Sequence, residues 1–388
     1  MNETAALALL FERGPLTRSD LRDLTGLSKP TASEVLRRLE DAGLAIVVGH
    51  ASGGPGPNAA IYAANAAAGF VIALSIRDVG DTDRPTVAAS IADLAGEVRN
   101  SVELSVDFSL VDAVDTIVDL VGDLCRKSKV ARKNLLQVQL GVPGSPDPRS
   151  GDIRYIDVPG FERPGLIKDL RTRLRTEVTV DNDVNLAAFA ERAHGVAADV
   201  DGFTVLWLAE GAGFAIDQGG TLMRGAHGCA GELGYMPVPA TSDTPAREFQ
   251  DLVGGSAVIE LGQRFGLTGS TSPEVVAQAV SDDAPAGAEQ FLTELADRIA
   301  IGLMTVVTLI DPPLIVLAGE LSQAGGEPLR DAVVEALSRR SPLETEIAVT
   351  GVLDDAVLRG ALSSGLATLQ DRLLTGLSTP TPPRALTN

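Results

Sequence analysis

A chain of 388 residues exceeds what one hydrophobic core usually supports, so two or three domains are expected, each burying its own centre. With 45% apolar and 22% charged residues it reads as a soluble Ala- and Gly-rich globular protein rather than a disordered one; its two cysteines, Cys125 and Cys229, exclude a disulfide framework and a thiolate metal cluster. The formal charge of −20 makes the body repel nucleic acid, whereas residues 1–64 hold six Lys or Arg against seven Asp or Glu, so any DNA contact has to come from a local basic face there.

The first apolar run, AALALLF, is too short for a signal peptide and lacks a basic flank. Residues 4–13 predict a helix with Leu7, Leu10 and Phe11 on one side, stopped by Gly14-Pro15. A second begins at Thr17, with Asp20 three residues on, and stops near Gly26. Ser28 caps a third, Pro30 is tolerated in its first turn, and Ala32, Val35, Leu36 and Leu39 form its buried stripe before Gly43 ends it. Three short helices with a tight turn before the third match a helix-turn-helix. Opposite the stripe lie Ser28, Lys29, Thr31, Ser33, Glu34, Arg37 and Arg38: hydroxyls near the helix start, suited to base edges, and cations behind them, suited to phosphates. AIVV, GHASGGPGPNA and AIYA then read as the strand, turn and strand of a wing whose tip carries His50 but no Lys or Arg, which counts against minor-groove reading.

From Gly69 strands alternate with helices. FVIALSI, TVAASIADL, VRNSVELSV and LLQVQLGV predict strands, and residues 109–130 a helix in which Cys125 is core. A second set follows, with a strand at 178–180, a helix at 184–194, strands at 203–208 and around 214–223, a long helix at 286–310 and the buried strand LIVLAG. The apolar run Ile299 to Ile310 ends at Asp311-Pro312-Pro313 and is too short to span a bilayer, so no membrane role is expected and a cytoplasmic location is. Two successive α/β halves predict a two-lobed body. A last helix over 354–374 leads to a Pro-rich, mobile tail.

These segments resemble the ROK family (repressor, open reading frame, kinase), whose members pair a two-lobed, actin-like sugar-kinase fold with, in the regulators, an N-terminal winged helix. RGAHGCAGELGYMPV (224–238) resembles the family's Gly-rich signature, VDNDVNLAAFAE (180–191) its Asn-Asp-x-Asn segment, GVPGSPDPRSG (141–151) its Gly-x-Pro-Gly loop, and LIDPPLIVLAGEL the strand beside the adenosine. The resemblance implies domains at 1–64 (winged helix) and 69–375 (ROK body), with 376–388 as tail. It also implies Asp183 as the base of a kinase and Asn182 and Glu232 on sugar hydroxyls. Asp183 serves equally well as the cap of the helix beside it.

The phosphate side departs from the family. Where its kinases carry Gly-Thr-Gly-x-Gly this chain has Ala209-Glu210-Gly211-Ala212-Gly213, and two like charges at ~4 Å and effective ε ~20 repel by ~4 kcal/mol. Where kinases show Asp-x-Gly-Gly-Thr the chain has Ser75-Ile76-Arg77-Asp78-Val79, and Glu320 stands where a small residue would adjoin the nucleotide. No ATP, and no other cofactor, is expected. Tyr235 replaces the His of the family's zinc site and TSDTPAREFQD its cysteines, so no metal is expected, and His194 and His227 read as surface or loop residues. The sugar pocket is altered rather than erased: Gly144, Asn182, Asp183 and Glu232 remain, joined by Tyr235 and Gln250 in place of a His and a Glu. A modified sugar, a sugar phosphate or no ligand stay open as effector. The expected function is a dimeric or higher-order DNA-binding regulator, a repressor of carbohydrate genes with a degenerate kinase body; the alternative is an active sugar kinase with a DNA-binding appendage.

Overall fold

The computed structural model describes residues 2–51, 59–77, 86–156, 158–239 and 247–378. Most of the GHASGGPGPNA turn, Asp78 and Val79, residues 241–246 of TSDTPAREFQD and residues 379–388 of the expected tail lie outside the described residues.

The chain opens with α1 (Asn2–Arg13), a short β1 (Leu16–Thr17), α2 (Arg18–Thr25) and α3 (Lys29–Asp41), then β2 (Ala45–Ala51) and β3 (Ala59–Ala64), which pair antiparallel with β1 on the outer side of β3. Local chemistry sets the boundaries. The Thr17 hydroxyl accepts from the Asp20 amide at 3.2 Å while the Asp20 carboxylate accepts from the Thr17 amide at 2.8 Å, a reciprocal capping box, and Gly26 ends α2 in the left-handed region at φ 70°. Ser28 caps α3, and Leu7, Leu10, Leu21, Leu36, Leu39 and Tyr62 form a small buried core.

The first α/β half carries β4 (Phe70–Ile76), β5 (Val87–Asp93), β6 (Val98–Leu104), α4 (Ala113–Lys127), β7 (Leu135–Val142), the short β8 (Ser145–Pro146) and β9 (Ile153–Arg154), α5 (Leu166–Leu174) and β10 (Glu177–Asn182). The sheet order is β10-β7-β4-β5-β6, parallel between β10, β7 and β4 and antiparallel beyond. The run FVIALSI shows no polar alternation because both faces of β4 are covered: Ile72 and Leu74 face α4 and α5, while Val71 and Ala73 face the other way. The helix expected over 109–130 begins only at Ala113, where Asp112 accepts from the Asp115 amide at 2.8 Å. Cys125 is buried there, and burial pushes its thiol pKa up.

The second half runs α6 (Asp183–His194), β11 (Gly202–Leu208), β12 (Ala212–Gln218), β13 (Thr221–Leu222), β14 (Pro237–Val238), β15 (Arg247–Glu248), α7 (Gln250–Val253), α8 (Gly255–Arg264), α9 (Ser272–Ala279), α10 (Ala288–Leu309), β16 (Leu314–Ala318), α11 (Glu320–Ser338), β17 (Glu346–Val349) and α12 (Ala356–Ser378). Its sheet order is β13-β12-β11-β16-β17. One face packs on α8 to α11 and the other on α6. Helices α6 and α12 pack together between the two sheets, so the lobes share a helical spine. Residues 376–378, expected in the mobile tail, instead continue α12, whose apolar residues Leu374 and Leu377 pack on the core of the first three helices. That 23-residue helix is about 34 Å long at 1.5 Å per residue. The sequence pattern left α5, α8, α9, α11 and β17 unassigned. For α11 the reason is visible: Gly325, Gly326 and Pro328 interrupt it, and Gly326 takes φ 50°, breaking the helix in two.

Candidate functional site

Two regions carry the predicted site residues, and α12 joins them. On α3, Ser28, Lys29, Arg37 and Arg38 are exposed and Thr31, Ser33 and Glu34 are half-buried. Two roles assigned from sequence are already occupied. Ser28 accepts from the Thr31 amide at 3.4 Å and its hydroxyl lies 2.7 Å from that of Thr31, so both serve the helix cap. The guanidinium of Arg37 donates to Glu34 at 2.7 Å and to Asp41 at 2.6 Å, and that of Arg38 to Glu34 at 3.0 Å and Glu3 at 2.8 Å. The two guanidiniums hold the Glu34 carboxyl down at a pKa of about 2, and the carboxylates raise both arginines in turn. Lys29 makes no ion pair among the described residues. On the wing, His50 is exposed beside Ile46, Val47 and Val48, which are 41%, 41% and 52% exposed, so the edge of β2 is apolar rather than cationic.

Between the lobes lies a cleft of about 360 Å³, within the range of small-molecule sites. It gathers all six predicted sugar-site positions: Gly144, Asn182, Asp183, Glu232, Tyr235 and Gln250. The helix cap falls to Asn182, not Asp183. Asn182 Oδ1 accepts from the Val184 and Asn185 amides at 2.9 and 3.1 Å, and its Nδ2 donates to the Gly144 carbonyl at 3.1 Å. Asn182 is thereby largely committed to its own turn. Asp183, freed of that duty, accepts one amide bond from Val184 at 2.8 Å. Burial pushes its pKa up to about 7, helped by repulsion from Glu232 and Glu320 and opposed by the Val184 amide.

Glu232 accepts from the Ser145 hydroxyl of the other lobe, and Gln250 donates to Glu248 at 2.9 Å. Gly144 stands in the cleft as a sugar-site position, but its lack of a side chain has another use. Gly144 edges the cleft, but a Cβ on it would meet Arg154, Ile153 and Ile156 at 2.9–3.0 Å, so its smallness serves packing of its own loop. Gly231 has φ 95°, and a Cβ there would lie 2.3 Å from the Phe214 carbonyl, which fixes the turn that presents Glu232 against β12.

Glu210 sits in the turn between β11 and β12. Its carbonyl accepts from the Gly255 amide at 3.0 Å, and its carboxylate lies so close over Gly255 that a Cβ would come within 2.5 Å of an oxygen. Gly255 is the first residue of α8, so a negative side chain rests at the positive end of a helix. Five carboxylates line the cleft (Asp183, Glu210, Glu232, Glu320 and Asp355), against one described cation, Arg77, which Asp355 holds at 2.5 Å. That partner, 278 positions away, was invisible from sequence. So was Tyr155, which lines the cleft with φ 54°. The buried Glu191, also missed, accepts from the hydroxyl of Thr350 and from the amides of Val196 and Val352 at 3.1 and 3.3 Å, tying α6 to the segment before α12. His194 lies 3.1 Å from Ser363 and His227 is exposed. Among the described residues no group of three or more His, Cys, Asp or Glu is placed to hold a metal ion.

The ROK family model matches residues 77–366, and a MarR family model matches residues 1–45. The xylose repressor of Caldicellulosiruptor bescii is 20% identical over 385 residues, covering 94% of each chain. The N-acetyl-D-glucosamine kinase of Shigella flexneri serotype 5b is 26% identical over 225 residues, 54% of this chain and 74% of the kinase. Among solved structures, a ROK family transcriptional regulator described as a homologue of the E. coli MLC protein superposes with a TM-score of 0.74 at 16% identity, over 95% of this chain and 98% of the other. The fold is thus a winged helix followed by the two-lobed ROK body.

Proposed function

The chain belongs to the ROK family, and from that premise we propose that it is a DNA-binding transcriptional regulator, a repressor of carbohydrate genes, whose body no longer phosphorylates sugar. In this reading residues 1–64 contact the duplex and residues 69–375 serve dimerisation and effector sensing. The observation that carries it is a winged helix joined to a cleft in which Glu210 lies against the first residue of α8. A helix start of that kind would hold a phosphate, and here the protein supplies the negative charge itself. The xylose repressor, similar along 94% of both chains, supports the regulatory side of the reading.

The charge of the cleft narrows the effector. A sugar phosphate would enter among five carboxylates with only the already paired Arg77 to meet it, so a neutral sugar is favoured, its hydroxyls donating to Asp183 and Glu232. Two copies would read symmetric half-sites and sum their contacts. Helix α12 gives the sensing route: its first residues, Ala356 and Val357, line the cleft, and Leu374 and Leu377 near its far end pack on the winged helix. A ligand that favours one lobe arrangement therefore biases the seating of the DNA module. No helix among the described residues is long and apolar enough to cross a membrane, and the proposed site of action is the cytoplasm.

The test is gel retardation of the DNA upstream of the protein's own gene, with and without the sugar panel; no retardation at low salt would sink the reading. A second reading, an active sugar kinase, is favoured by one feature: a carboxyl poised near pH 7 is apt for a general base. ATP consumption over hexoses and hexosamines that disappears in Asp183→Asn would replace the first reading with the second.

A further inference from the structure

Three tyrosines occur in the chain. Tyr62 is buried in the winged helix; the other two meet at the mouth of the cleft, one from each lobe. Tyr155 follows β9 in the first lobe and Tyr235 follows Glu232 in the second; their ring centroids are 6.1 Å apart at an interplanar angle of 53°. They remain 65% and 49% exposed, so packing does not explain them. Tyr155 is moreover held at φ 54°, a region that non-glycine residues adopt reluctantly and that clusters at functional positions.

Two tilted rings at a cleft mouth form an apolar corner whose faces carry partial negative charge and suit the C–H face of a pyranose or furanose ring. Deeper in the same cleft the chemistry is different: Asp183 and Glu232 are acceptors for hydroxyls. The tyrosine corner thus adds a stacking surface to the hydroxyl acceptors of the same cleft. We propose that Tyr155 and Tyr235 form a second saccharide subsite, and that the effector is a neutral glycoside of at least two rings, the inner one on the carboxylates and the outer one against the tyrosines. This rests on the sensing reading above and deepens it. Because the subsite is built from both lobes, it exists only in one lobe arrangement, and a two-ring ligand stabilises that arrangement in a way a single ring does not.

The chain has one tryptophan, and Trp207 lines the same cleft, so its emission reports occupancy. The full-length protein is titrated with glucose, xylose and N-acetylglucosamine and with their β-1,4-linked dimers cellobiose, xylobiose and diacetylchitobiose. At least one dimer is expected to bind about tenfold or more tightly than its monomer. Tyr155→Ala brings that ratio close to one while leaving monomer affinity within about twofold, and Tyr235→Ala brings the ratio close to one as well. Tyr155→Phe keeps the preference, and Tyr155→Gly, which relieves the backbone, loses it. A dimer preference that survives Tyr155→Gly and Tyr235→Ala overturns the subsite, as do dimers that bind no better than monomers in the unaltered protein. In the latter case monomer binding leaves the sensing reading standing. Silence of Trp207 towards every sugar overturns both, and DNA retardation then judges the regulator reading alone.

Discussion

Glu34→Gln keeps the size of a side chain on α3 and removes the one carboxylate that both Arg37 and Arg38 share. In the free protein Lys29, Arg37 and Arg38 stand against Glu34, Glu40 and Asp41 along α3, net 0, and the substitution makes the helix net +1. Arg37 keeps Asp41 at 2.6 Å and Arg38 keeps Glu3 at 2.8 Å, so each arginine loses one of two partners rather than all restraint. Each phosphate newly neutralised steepens the dependence of log K on log salt by about 0.9, so release of one or both arginines predicts a slope steeper by about 0.9 to 1.8 per protomer. The measurement is fluorescence anisotropy of labelled duplex between about 50 and 200 mM salt, on operator and on random sequence. Random-duplex affinity should rise at low salt and converge on the original value at high salt. Because the pKa of Glu34 is depressed to about 2, its pairing is present above the ordinary carboxylate range and lost only as pH falls towards 2. The restraint therefore cannot be titrated away at any pH where DNA binding is measured. An unchanged or shallower slope would refute the argument. Weaker operator binding with random duplex untouched would mean that Glu34 accepts from a base instead.

Asp183→Asn should stabilise the protein at high pH. The folded-state pKa of about 7 lies above the ordinary 3.8, so the folded chain retains a proton that the unfolded chain releases, and this contribution falls away as pH rises from about 4 to 7. The variant's advantage in urea unfolding should grow from pH 5 to pH 8, with an upper bound of about 4 kcal/mol; a flat difference would refute it. Glu191→Ala leaves the hydroxyl of Thr350 without its carboxylate acceptor and the amides of Val196 and Val352 short of one, and should lower unfolding stability by about 2 to 4 kcal/mol; a loss well under 1 kcal/mol would show that water replaces the carboxylate. Leu374→Asp places a charge where α12 meets the first three helices and should split calorimetric unfolding, the winged helix melting before the body; a single unshifted transition would argue that the contact is dispensable.

The winged helix was legible because its signals are local. Thr17 with Asp20, Ser28 with Pro30, and the stripe Ala32, Val35, Leu36, Leu39 each lie within one or two helical turns. The sheets were legible from apolar runs, whereas α11 was hidden by two glycines and a proline, with Gly326 breaking it into two shorter helices. The cleft was legible as a set of segments but not as a geometry. Nothing in Asn182-Asp183 says which side chain turns back to cap the helix, since both types do so. Arg77 read as a missing phosphate contact, and its partner Asp355 comes from the start of α12. The pairing of Glu34 with Arg37 and Arg38 went unread, although its spacing of three and four residues was in the sequence; Glu3 arrives from another helix and left no such mark. Tyr155 carried no signal, because neither Tyr nor its neighbours mark a left-handed backbone.

The hydroxyl of Thr4 donates to the carbonyl of Leu374 at 3.5 Å, so the beginning of the chain rests on a helix assembled some 370 residues later. On the ribosome, at about 5 to 20 residues per second, the opening sixty-odd residues wait roughly 15 to 60 s for that support. A nascent or prematurely terminated product thus carries its first module without that brace until translation has delivered α12.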